Sequence, residues 1–216
     1  MLRIVTHSHP ALRHESYPVT QIDERLRNSV RAMFDLMYEA RGIGLAANQV
    51  AIPRQFFVLN LASDPEMKEQ ERVFINPVIV KRNGLIEEEE GCLSFPGVYA
   101  KVKRAKRIRV KAYDLQGNEV TVDADELLGR AIQHETDHLH GKLFVDYLED
   151  AVRAANAAKI RDIEAAYRES QARGETPDDD ALRAALAAWP TLGPEAGGEP
   201  AAHAAAAEFD TPPPSL

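Results

Sequence analysis

The sequence predicts an α+β fold in which short antiparallel strands pack around a central helix carrying an H-E-x-x-H motif, with a further helix toward the C-terminus. Three observations lead there. Apolar residues recur with period 2 in the middle of the chain, they recur with helical period on either side of it, and the apolar runs are short, each closed by a polar residue or a proline.

Taken in order, residues 22–38 place Ile22, Leu26, Val30, Met33 or Phe34, and Met37 on one stripe, which predicts a helix with one buried face. RGIGLAANQ (41–49) follows, and its two glycines, one residue apart, stop that helix and let the backbone run tight and irregular. FFVLN (56–60) and VFINP (73–77) read as short buried strands on either side of a polar loop from Asp64 to Arg72. Four acids, Glu87 to Glu90, lead into GCLSFPG (91–97). Val102, Ile108, Val110 and Ala112 then interleave with Lys103, Arg107, Arg109 and Lys111, which predicts one long strand with a wet, basic face. QGN (116–118) turns it back into EVTVD as a hairpin. Asp123 followed by Glu126 has the form of a helix start, an acid cap with a Glu three residues on. That helix should run through Leu127, Leu128, Ala131, Ile132 and HETDH to Leu139 and stop at Gly141. A last helix fits Ala151 to Ala172, with Val152, Ile160, Ile163 and Tyr167 spaced for packing.

A chain of 216 residues has room for one domain with a real core plus appendages, and residues 1–173 are expected to be that domain. Beyond Gly174 the character changes. From Gly174 on fall seven of the 13 prolines and four of the 12 glycines, and eight acids face Arg183 alone. Residues 174–216 therefore carry -7 of the net -8 and are expected to be a disordered or loosely docked tail, with Asp180 to Trp189 offering its one short helix. The nearly neutral body gives no case for binding DNA or a membrane. MLRIVTHSHP has neither the apolar stretch nor the cleavage site of a signal peptide, and no run is long enough to span a bilayer, so the cytoplasm is the expected location and a monomer the expected state. The basic stretch 101–111 invites a ribosome contact, but a solvated face beside four glutamates is the plainer account, since no aromatics interleave with the cations.

HETDH at 134–138 is the sharpest local signal. Four residues rise about 6 Å along a helix, slightly more than one turn, so His134 and His138 stack on one face where two imidazoles can grip one ion. Glu135 sits beside the first of them, placed to reach a water on the metal rather than the metal itself. A hydrolytic site needs three protein ligands and one open position. One protease pattern puts the third ligand where this chain has Phe144, which excludes it; a downstream Glu such as Glu164, or Cys92 upstream, remains open. Cys92 is the lone cysteine, so no intramolecular disulfide forms; taken by itself it is a buried hydrophobe, a nucleophile or a ligand. Gly91 beside it leaves room for close approach. Leu127 and Ala131, seven and three residues before His134, share its helical face and could line an apolar pocket or simply belong to the core.

GIGLAANQ (42–49), EGCLS (90–94) and QHETDH (133–138), in this order and at these distances, resemble the three signature segments of the peptide deformylases. PALR (10–13) and HLHGKLFVDYL after the last segment resemble that family too, and the likeness spans about residues 1–165. His140 stands where relatives often have Asp or Asn. The resemblance implies Cys92, His134 and His138 as ligands of Fe(II), with Zn, Ni or Co as substitutes, and Glu135 as general base and then general acid on a metal-bound water. It also assigns oxyanion stabilisation to the Gln49 side chain and the Leu93 backbone N–H; without it Gln49 would be an ordinary loop glutamine. It implies as substrate the N-formyl-methionyl end of a nascent chain, its backbone running beside the Gly44 segment and the stretch after Leu93, and formate as product; Ile43, Gly44 and Gly91, with the apolar Leu127 and Ala131, are the expected substrate-binding residues.

Overall fold

The computed structural model describes residues 2–189. Helix α1 (Glu24–Glu39) opens with Asp23 accepting from the Leu26 N–H and buries Leu26, Val30, Met33, Phe34 and Met37, the expected stripe. Ile22 precedes it rather than joining it. The glycine-containing segment becomes a three-residue strand, β1 (Gly44–Ala46), followed by a 3-10 turn from Ala47 to Val50. β2 (Phe56–Leu59), β3 (Arg72–Asn83), β6 (Arg107–Tyr113) and β7 (Glu119–Asp125) complete an antiparallel five-stranded sheet in the order β1-β2-β3-β6-β7. β4 (Ile86–Gly91) and β5 (Tyr99–Arg104) form a separate two-stranded sheet. Helices α2 (Glu126–Leu139), α3 (Asp150–Ala172) and α4 (Asp179–Ala188) follow.

The five-stranded sheet is dry on both faces at its centre, which is why FFVLN reads as a continuous apolar run. Phe56 and Val58 pack toward α1, while Phe57 and Leu59 pack with Ala131, Ile132 and Leu139 of α2. The α2 helix thus lies across the sheet as the central helix the sequence predicts. A third cluster joins Val5, Ala11 and Leu12 near the N-terminus to Phe95, Val98, Phe144, Leu148 and Leu186 of α4.

Three expectations are corrected. The single basic strand is two strands in different sheets, broken at Ala105 and Lys106. The buried positions are 100, 102 and 104 before the break and 108, 110 and 112 after it, so the corner preserves parity and periodicity cannot reveal it. The α2 cap is Asp125, not Asp123; β7 runs on through Asp123, which pairs with Arg109 at 2.7 Å. The tail boundary also moves. Residues 174–188 do not hang loose: Thr176 is buried, Asp178 caps α4, and Leu182 and Leu186 are covered. Residues 190–216, the remainder of that expected tail, lie outside the described residues.

The basic face is largely neutralised by its own neighbours. Arg109 pairs with Asp123, Lys111 with Glu119, Arg107 with Asp125, and Lys103 with Glu149 and Glu87. Among the described residues no helix is long and apolar enough to cross a membrane.

Candidate metal centre

Two pieces of chain bring the donors together. The β4 strand ends at Gly91 and delivers Cys92 into a turn in which the Phe95 N–H bonds the Cys92 carbonyl at 2.9 Å. The α2 helix presents His134 and His138 one turn apart, their ring centroids 5.0 Å from each other. The Cys92 Sγ lies 3.2 Å from His138 Nε2, and one ligand atom from each of Cys92, His134 and His138 falls within 4.8 Å of the others. Both histidines are buried and Cys92 is half-buried.

The surroundings orient these donors. His134 Nδ1 is 3.0 Å from Glu90 Oε2, which turns the other ring nitrogen toward the sulfur. Asn48 Nδ2 donates to the His138 carbonyl and, at 3.3 Å, to the Ala11 carbonyl, tying the end of α2 to the N-terminal turn. Gln49 takes the Ala46 N–H on its Oε1 at 2.8 Å and points its Nε2 at Ser94 Oγ (3.2 Å) and Cys92 Sγ (3.4 Å). Gly44 backs onto Glu135: a Cβ there would stand 2.5 Å from the carboxylate Oε1, so only glycine lets β1 approach this closely.

Electrostatics divides the titratable groups. Burial pushes the Glu135 carboxyl up to about 7, the Glu90 charge adds to it, and the His134 and Arg104 charges pull the other way. Burial alone would also raise Glu90, but hydrogen bonds from Arg104 and His134 win and hold it well below the usual carboxylate range. Burial likewise opposes a charged His134, yet its bonds to Cys92 and Glu90 hold it well above the ordinary histidine value; burial and the His134 charge hold His138 well below it.

A thiolate with two imidazoles is a borderline-soft donor set suited to Fe(II), Zn, Co or Ni. The fit extends to a polar atom that the protein leaves open. Glu135 Oε2 is buried without a hydrogen-bond partner, an uncommon condition in a packed interior that is expected beside a reacting group.

Of the residues singled out in the sequence, Cys92, His134, His138, Glu135 and Gln49 meet here, with Gly44 and Gly91 at the margin. Leu93 packs against the α1 cluster, Ile43 and Ala131 belong to the cluster between α2 and the sheet, and Leu127 is half-buried in the first turn of α2. Glu164 is exposed on α3 and stands outside the donor group, which removes it as third ligand. Sequence reasoning missed Glu90, Arg104, Arg130 and Asn48, all buried. A signal existed for two of them. In β5, Arg104 falls on the apolar parity with Ala100 and Val102, and a dry arginine demands an acid opposite it.

A Cys-His-His donor set with a buried carboxylate one residue along an H-E-x-x-H helix defines the site as that of a hydrolase of metalloenzyme type. The match to known proteins is narrower. A family model described as polypeptide deformylase matches residues 1–154. Peptide deformylase 1 of Shewanella oneidensis is 46% identical over 74% of this chain and 94% of its own length, and the peptide deformylase of Rhodopirellula baltica is 38% identical over 88% and 94%. Among solved structures, a plant peptide deformylase (PDF1B) superposes with a TM-score of 0.76 at 40% identity, covering 79% of this chain and 93% of that one. A peptide deformylase from Plasmodium falciparum gives 0.74 at 38%, covering 79% and 98%. The chain belongs to the polypeptide deformylase family.

Proposed function

We propose that this enzyme removes the formyl group from the N-terminal formyl-methionine of newly made proteins in the cytoplasm, releasing formate, and that it does so as a monomer. The convergence of Cys92, His134 and His138 beside the buried Glu135 carries this assignment. Those three residues would hold one divalent ion, Fe(II) by likeness to the family with Zn, Ni or Co as substitutes, and the bound ion supplies Lewis acidity toward water and the formyl carbonyl.

The chain's own groups then do the following. Glu135 accepts a proton from the attacking water and later delivers it to the departing amine; its burial, which disfavours the charged form, makes it a ready proton acceptor. Gln49 Nε2, aimed by the Ala46 N–H bond on its other end, and the Leu93 backbone N–H donate to the developing oxyanion. β1 pairs with β2 on one side only, so its other edge offers backbone groups at Gly44 to an extended peptide, which would run beside Ile43 and Gly91. Leu127 and Ala131 give the methionine side chain an apolar flank.

The test is anaerobic purification, metal analysis and formate release from formyl-Met-Ala, run beside Glu135→Gln. The variant should keep metal and melting temperature and lose turnover by at least about 10²-fold. Retention of most activity by the variant, or failure of the metal-loaded enzyme to release formate, overturns the assignment.

A further inference from the structure

Behind the donor set lies a buried ionic network that the proposed reaction does not use. Glu90 is 3% exposed, yet it carries three bonded partners: Arg104 at 2.8 and 2.9 Å, Arg130 at 2.6 Å and His134 Nδ1 at 3.0 Å. Arg104 reaches on to Asp137 on α2, and its guanidinium lies 4.8 Å over the Tyr147 ring. Arg130 also donates to the carbonyls of Ile86 and Val102, which clamps α2 to both strands of the β4–β5 sheet. Burying this many charges is expensive for stability alone, and a hydrophobic cluster of equal volume would commonly serve as well. What such a cluster could not do is accept a hydrogen bond from an imidazole.

The two histidines differ on this point. His134 has a carboxylate on its far nitrogen, whereas His138 Nδ1 is buried without a partner. One ring is aimed from behind by a side chain; the other has its side-chain partner, Cys92, on the donor side. From this asymmetry we propose that Glu90 is a positioning residue for the metal site. It fixes the ring orientation of His134, so that His134 Nε2 faces Cys92, and the hydrogen bonds from the two arginines hold the Glu90 carboxylate in place. Ligating imidazoles anchored by a carboxylate are both better oriented and more basic, and losing such an anchor costs about 10- to 100-fold in metal affinity. The inference rests on the metal-dependent assignment of the same site and adds which side chain sets the grip on the ion.

The experiment measures Co(II) affinity by competition with a chromophoric chelator, together with the thiolate-to-cobalt charge-transfer band, for the full chain and four variants. Glu90→Gln should bind Co(II) about 10- to 100-fold more weakly and shift that band. Because Glu90→Gln removes one buried acid and leaves Arg104 with Asp137 and Arg130 with Glu88 alone, which could unfold the protein, Glu90→Gln/Arg130→Met, which restores charge balance, is measured beside it and should show the same loss of affinity. Leu182→Ala on α4 lowers stability far from the network and should leave affinity within about threefold of the parent. Cys92→Ala should bind no Co(II). If Cys92→Ala binds as well as the parent, the metal assignment itself fails. If Cys92→Ala fails to bind while both Glu90 variants hold Co(II) like the parent, or if Leu182→Ala loosens it equally, the positioning role of Glu90 is overturned.

Discussion

Gly44→Ala isolates the placement of Glu135 from the rest of the site. The added Cβ would stand 2.5 Å from Glu135 Oε1 and 2.6 Å from Leu59 Cδ2. Comfortable contact lies near 3.5 Å, so about 1 Å must be found on two sides at once. Leu59 is 1% exposed within the cluster between the sheet and α2, and has nowhere to retreat. The carboxylate is the softer neighbour and takes most of the shift. Displacing a catalytic group by about 1 Å costs about 10²-fold in rate, equivalent to about 2.7 kcal/mol of barrier. Overpacking should lower stability by a further ~1–3 kcal/mol. The assay is kcat on formyl-Met-Ala with metal content and melting temperature measured on the same preparation. Metal should stay bound, since the three atoms nearest the new methyl group belong to Glu135 and Leu59 and none to a donor. A variant that folds, keeps its metal and turns over within threefold of the parent would refute the claim that β1 and Glu135 are in obligatory contact.

Cys92→Ala should purify without stoichiometric metal and release no formate, because two histidines alone leave the donor set incomplete; a normal metal content by elemental analysis would count against the ligand assignment. Stability should fall on acidification through His9. Burial lowers its pKa from 6.5 to about 4, against the opposing charge of Asp179. The neutral ring is therefore the folded form, and the contribution of about 3 kcal/mol is present above pH 6.5 and lost as pH drops toward 4. His9→Asn keeps an acceptor for the Ala11 N–H and should flatten that part of the urea-denaturation profile; an unchanged slope between pH 7 and 4 would contradict it. Leu186→Ala should cost about 2–5 kcal/mol, read by urea midpoint, because the side chain is 4% exposed against Val5, Leu12 and Phe144; a loss under about 0.5 kcal/mol would show α4 to be dispensable packing.

The donor set was legible because its chemistry is local. Two histidines four apart need only a helix to meet, and the helix was written in the period of Leu128, Ala131, Ile132 and Leu139. Cys92 became legible only through the likeness of its segment to a family, since nothing in the spacing from 92 to 134 says that the two ends of that stretch converge. Glu90 stayed hidden inside a run of four acids that reads as solvated. In β4 the run alternates: Glu88 and Glu90 stand opposite Val102 and Ala100, on the inner face, while Glu87 and Glu89 stand opposite Lys103 and Lys101. Identical residue types on both faces erase the pattern from which burial is inferred. The folded part of the tail was hidden for a related reason: its composition is that of a disordered segment, and Leu182 and Leu186 are too few to outweigh it until the N-terminal turn supplies the surface they cover.

That last contact sets an order of events. A polypeptide emerges from its N-terminus onward, so the cluster of Val5, Ala11 and Leu12 is completed only when Leu186 has been synthesised. The Ala11 carbonyl is also a hydrogen-bond partner of Asn48, whose other bond goes to the His138 carbonyl. The last piece of that cluster therefore comes from a helix lying outside the family's matched span, and chains cut short before α4 should fold with this patch of the N-terminal turn exposed.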